Sequence, residues 1–69
     1  MMTLHEAMAV VLSKGPKTAK EIADEINRRK LYCQKDGRPV TAGQISARAN
    51  KRSHLFDKEE KKYFLKGKL

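Results

Sequence analysis

The sequence predicts a small, mainly α domain closed by a β-hairpin, and three observations carry that expectation. Thr3, Thr18 and Thr41 each stand three residues ahead of a Glu or Gln, and each opens a run of apolar residues at helical spacing. Near the far end, two short apolar runs bracket the charged stretch Lys58-Glu59-Glu60-Lys61, the pattern of two paired strands. A chain of 69 residues holds one such domain, 1–69, which buries about 60% of the surface exposed by its unfolded form.

The first helix is expected over about 3–14. Thr3 and Glu6 form a capping box, and Leu4, Ala7, Met8, Val11 and Leu12 repeat at i, i+3, i+4, i+7 and i+8. Gly15 suits a left-handed C-terminal position and Pro16 cannot continue the helix. Met8 reads as a core filler and His5 as an exposed first-turn residue.

The second helix, about 18–30, opens with Thr18-Ala19-Lys20-Glu21-Ile22 and buries Ala19, Ile22, Ala23 and Ile26. Its last turn, Asn27-Arg28-Arg29-Lys30, puts cations where the helix dipole favours them. Those cations either complement the helix end or add phosphate contacts. A connection from Leu31 to Val40 follows, with the turn signal Lys35-Asp36-Gly37 and then Arg38-Pro39. Leu31 and Tyr32 fold back onto the core.

The third helix, about 41–52, is the segment around which the chain is organised. Thr41 caps it, Gln44 completes the capping box, and Val40 with Ile45 forms a hydrophobic staple. At 100° per residue, Ala42, Ile45 and Ala49 face inward, while Gly43, Ala47, Asn50 and Lys51 face outward, flanked by Gln44, Ser46 and Arg48. Small residues let a helix backbone approach a surface closely, and Gln, Asn, Ser and Arg hydrogen-bond base edges and phosphates. The bland alternative is a solvated helix face.

The remaining segment, about 55–65, reads as the hairpin, with Leu55 and Phe56 on one strand and Tyr63, Phe64 and Leu65 on the other. A helix continuing through 57–64 is the competing reading. Phe56, Tyr63, Phe64 and Leu65 are assigned to the core and strand pairing rather than to base stacking. A basic tail occupies 66–69.

The formal charge is +8, and it is unevenly placed. Residues 1–26 carry three Lys against four carboxylates, a net −1, whereas residues 27–69 carry thirteen Lys and Arg against four, a net +9. The excess belongs to the part containing the third helix, where it attracts polyanions in a salt-dependent way. Cys33 is the single cysteine, which excludes an internal disulfide and suits a reducing, cytoplasmic setting, with the nucleoid if the source is bacterial. No apolar run is long enough to span a membrane, and the helix from 42 to 52 has only Ile45 as a large apolar residue, assigned to the core, where a lipid-binding helix shows large apolar residues beside its Lys and Arg. Cys33, His5 and His54 are too few for a zinc site, and no nucleophile–base constellation or phosphate-cradling glycine loop is present, so neither an enzyme nor a cofactor is expected.

Three helices followed by a two-stranded wing is the order of a winged helix-turn-helix domain. Across Thr3 to Lys66 the chain resembles the HARE-HTH domain family. The resemblance lies in Leu4-His5-Glu6-Ala7, in Gly15-Pro16-Lys17-Thr18-Ala19-Lys20-Glu21-Ile22-Ala23, in Asp36-Gly37-Arg38-Pro39-Val40-Thr41-Ala42-Gly43-Gln44-Ile45, and in Leu55-Phe56 with Tyr63-Phe64-Leu65. It implies a DNA-binding or DNA-linked module serving transcription, chromatin or DNA modification. The delta subunit of bacterial RNA polymerase is such a relative, which makes docking on polymerase or another acidic protein the alternative. Glu59 and Glu60 at the wing tip depart from a phosphate-gripping wing.

The residues expected to meet double-stranded DNA follow from the third helix. Gln44, Ser46, Ala47 and Asn50 face base edges, Arg48, Lys51 and Arg52 hold phosphates, and Lys35, Arg38, Arg28 and Arg29 are flanking anchors. Arg52 carries its stem near the core edge. The oligomeric state is left open by the sequence.

Overall fold

The computed structural model describes residues 2–66. Three helices, α1 (Leu4–Leu12), α2 (Ala19–Arg29) and α3 (Ala42–Lys51), combine with three strands, β1 (Lys17–Thr18), β2 (Phe56–Glu59) and β3 (Lys62–Leu65). The result is a small α+β domain with one antiparallel sheet in the order β1-β3-β2. The expected two-stranded wing is therefore corrected to three strands. Lys17 pairs with Tyr63 and Thr18 with Lys62. Two residues are too few to show an alternating pattern, and the extended backbone that makes Thr18 an N-cap also makes it a strand. The expected tail lies, beyond Lys66, outside the described residues.

All three helices start by the same local chemistry. In each capping box the Thr hydroxyl accepts the backbone N–H of the residue three positions on, and that residue's side chain accepts the Thr N–H. The two glutamates in these boxes, Glu6 and Glu21, are held below the usual carboxyl range, chiefly by the backbone N–H of Thr3 and Thr18. The helices end one or two residues earlier than expected. Ser13 closes α1 as its hydroxyl donates to the Val10 carbonyl at 2.6 Å. Lys30 closes α2 in a left-handed conformation, φ 54°, and Leu31 N–H reaches back to the Ile26 carbonyl at 3.1 Å.

Met8, Val11, Ile22, Ile26 and Ile45 are the largest fully buried side chains. α2 packs against both α1 and α3, and the sheet closes the core through Phe56 and Tyr63. Leu31 and Tyr32 fold back onto this core as expected. Ala9 is buried as well, although it lies off the stripe assigned to α1. His5 is half-buried rather than exposed, with Nδ1 at 3.2 Å from the Thr3 hydroxyl.

The hairpin strands reach further into the charged tip than the apolar pattern suggests. Glu59 opposes Lys62, leaving Glu60 and Lys61 as a two-residue turn. Glu60 takes φ +59°, as the first position of a tight hairpin turn requires, without the glycine that usually supplies it. Phe64 is corrected out of the core. It opposes Asp57, on the face opposite Phe56 and Tyr63, because successive strand residues point to opposite sides.

Candidate nucleic-acid interface

α3 is held in place by contacts from three sides. Below it, Ile45 and Ala49 are buried. At its start, the Asn27 amide of α2 donates to the Val40 carbonyl and accepts the Val40 N–H, both at 2.9 Å. On the sheet side, the Tyr63 hydroxyl donates to Ser46 Oγ at 3.1 Å. Asn27 was read in the sequence with the helix-end cations of α2. Its role depends on a residue 13 positions away, which no local pattern announces.

Facing outward, Gly43, Ala47, Asn50 and Lys51 are exposed, as their helical angles require. The 10 residues of α3 make a rod about 15 Å long. No acidic residue sits in its first turn, and the last turn carries Arg48 and Lys51. Positive charge there complements the helix dipole, and the outward face holds no carboxylate to repel a polyanion.

A groove runs along each flank of this face. One is lined by Leu4, Tyr32, Gln44, Ala47, Arg48 and Lys51. The other, between α3 and the sheet, is lined by Asn50, Ser53, Lys58 and Lys66 among others, with Asp57 its one carboxylate. Arg48, Lys51, Lys58 and Lys66 have no ion-pair partner among the described residues. Lys58 instead lies over the Tyr63 ring, 5.4 Å from its centroid, a cation–π contact that draws its stem toward the α3 side of the sheet. Lys58 and Lys66 were not assigned to the interface from sequence. Strand alternation was the available signal: Lys58 shares a face with Phe56 and Tyr63, whereas Glu59 lies on the opposite face with Lys62.

The other sequence-assigned residues divide by what already holds them. Both ends of the Gln44 amide are engaged, Oε1 by the Thr41 N–H at 3.0 Å and Nε2 by Gln34 Oε1 at 2.7 Å. Gln34 in turn donates to the carbonyls of Arg38 and Pro39, so Gln44 ties α3 to the preceding connection. Ser46 is half-buried and turned toward Tyr63. Arg52 is half-buried at the end of α3, and its carbonyl accepts the N–H groups of Leu55 and Phe56.

Arg28 donates through Nε to Glu25 at 3.3 Å, and Arg29 lies 3.8 Å from the same carboxylate. The Arg28 hydrogen bond is the main cause of the lowered Glu25 pKa. Arg38 pairs with Asp36 at 3.3 Å, and the Asp36 carboxylate also accepts the Arg38 N–H at 3.0 Å. Lys35 is exposed in the turn whose Gly37 N–H returns to the Gln34 carbonyl. The structure thus brings Ala47, Arg48, Asn50 and Lys51 together on one face and occupies Arg28, Arg29 and Arg38 with acidic neighbours.

Among the described residues no group of three His, Cys, Asp or Glu could hold a metal ion, and Cys33 is exposed and free. Among the described residues no helix is long and apolar enough to cross a membrane. No family model, curated protein or solved structure matches the chain.

Proposed function

We propose that this is a winged-helix DNA-binding domain in which α3 enters the major groove and the sheet lies along its flank. The observation that carries this reading is the arrangement around α3: a carboxylate-free outward face of small and polar residues, bordered on both sides by pairs of cations without ion-pair partners. A major groove about 12 Å wide admits a single helix and puts a phosphate strand on either side of it. Arg48 and Lys51 face one strand, Lys58 and Lys66 the other, and Ala47 and Asn50 approach the bases between them. Gln44 holds the helix start rather than a base, since it must give up Gln34 to reach one.

The test is a backbone amide NMR titration with short duplexes at two salt concentrations, followed by salt-dependent affinities. Shifts centred on 42–52 that survive moderate salt support the reading. Lys51→Ala and Lys58→Ala each weaken all duplexes alike and lower the salt slope by about one unit, while Asn50→Ala changes sequence preference. A slope unchanged in both lysine variants overturns the assignment.

The first groove favours one other reading. Leu4, Tyr32 and Ala47 beside Arg48 and Lys51 suit an acidic protein segment, such as one on RNA polymerase. Heparin competing as well as duplex DNA, with no dependence on base sequence, favours that reading over groove recognition.

A further inference from the structure

The outward face of the sheet differs in character from the rest of the molecule, and it turns away from α3. Cross-strand pairing places Asp57 and Glu59 of β2, Lys62 and Phe64 of β3, and Thr18 of β1 on this side. A groove here is lined by Pro16, Glu59, Glu60, Lys62 and Phe64. Phe64 is half-buried and is not among the side chains packed against the core. Asp57, Glu59 and Glu60 are exposed and have no ion-pair partner among the described residues. On a chain of formal charge +8, two of these carboxylates, Glu59 and Glu60, line one groove with the Phe64 ring, with Lys62 as the cation among them.

We propose that this face docks a basic protein segment that presents an arginine next to a large apolar side chain. The apolar side chain covers Pro16 and the exposed part of Phe64. The guanidinium stacks against the Phe64 ring and meets Glu59 and Glu60, a combination suited to its planar fork of donors. A nucleic acid is repelled by the same carboxylates. The domain then carries two surfaces of opposite sign, one along α3 and one on the back of the sheet, able to be occupied together.

The experiment is an NMR titration of the labelled domain with a short peptide of alternating Arg and Leu, using a Glu and Leu peptide of equal length as the control. Shifts from the basic peptide fall on Glu59, Glu60, Lys62 and Phe64, and the acidic peptide leaves these residues unmoved. The double substitution Glu59→Lys with Glu60→Lys changes two exposed side chains, so its amide spectrum stays folded, and it weakens the basic peptide about tenfold or more. Phe64→Ala weakens it as well. The proposal is overturned by peptide shifts that avoid this face, by an unchanged affinity in the double variant, or by shifts that grow with protein concentration alone. The last result assigns the face to a second copy of the chain. Because no step depends on DNA, a domain that ignores duplex DNA and still gives this titration leaves the docking face standing.

Discussion

α2 and α3 open with nearly the same five residues, Thr18-Ala19-Lys20-Glu21-Ile22 and Thr41-Ala42-Gly43-Gln44-Ile45, and they do different things with them. Both close a capping box, and both bury the isoleucine completely. They differ at the third and fourth positions, where Lys becomes Gly and Glu becomes Gln. Each change removes bulk or charge from the start of α3. Capping needs an acceptor, which Glu and Gln supply equally well, so the difference lies outside the requirements of helix formation. Glu to Gln removes a negative charge, which suits the proposed approach of a polyanion, while Lys to Gly gives up a cation and leaves a start without a side chain. On α2 the corresponding surface carries Lys20 paired with Asp24 at 3.0 Å, ordinary solvated chemistry.

The comparison is broken most directly at the shared isoleucines. Ile22→Ala and Ile45→Ala each remove a fully buried side chain, and each costs about 2–5 kcal/mol in urea denaturation. Near-equal losses show that the two helices are anchored alike; a much smaller loss for Ile45→Ala shows that α3 is held chiefly by its flanking hydrogen bonds.

Asn27→Ala tests those bonds. It leaves the Val40 N–H and carbonyl without their partner and costs about 1–3 kcal/mol. Amide exchange at Val40 and the first turn of α3 rises more than exchange in α1. Uniform exchange through all three helices removes the special link between α2 and the start of α3.

Gly43→Ala separates stability from function. A Cβ at this position meets nothing closer than the Thr41 hydroxyl at 3.8 Å, so the fold tolerates it. Helix propensity makes the variant more stable by up to about 1 kcal/mol in thermal unfolding. Duplex affinity falls if the DNA backbone comes close to the helix start. Raised stability with unchanged affinity shows that glycine is not needed for binding.

The smallest effect is on pH. The Glu21 carboxyl has its pKa lowered in the folded state, chiefly by the Thr18 N–H, so its contribution to stability is complete above the ordinary carboxyl value of the unfolded chain. That contribution is lost as pH falls through the lower folded value. Glu21→Gln therefore flattens the acid limb of stability against pH. Gln44→Glu steepens it and, by adding a negative charge at the start of α3, weakens duplex binding at neutral pH. Identical acid limbs in the wild type and Glu21→Gln refute a carboxylate contribution at this cap.

Three helix starts, the core stripes of all three helices and the existence of a hairpin were legible in the sequence, because each rests on hydrogen bonds or burial patterns spanning a few residues. Thr41 to Gln44 is a contact of three positions, and Ile45 with Ala49 is one turn of a helix. The outward placement of Ala47, Asn50 and Lys51 followed from the same periodicity.

Tertiary structure decided the rest, through pairings that no window of local sequence contains. Asn27 finds Val40 across 13 positions, Ser46 finds Tyr63 across 17, and Gln34 finds Gln44 across 10. The Lys17–Thr18 strand exists because β3 lies beside it, not because two residues prefer to be extended. The two-residue turn at Glu60 and Lys61 sets the hairpin register, which aims Lys58 toward α3 and Glu59, with Phe64, away from it. A one-residue slip reverses that assignment, so the composition of the wing alone does not determine which of its charges α3 shares.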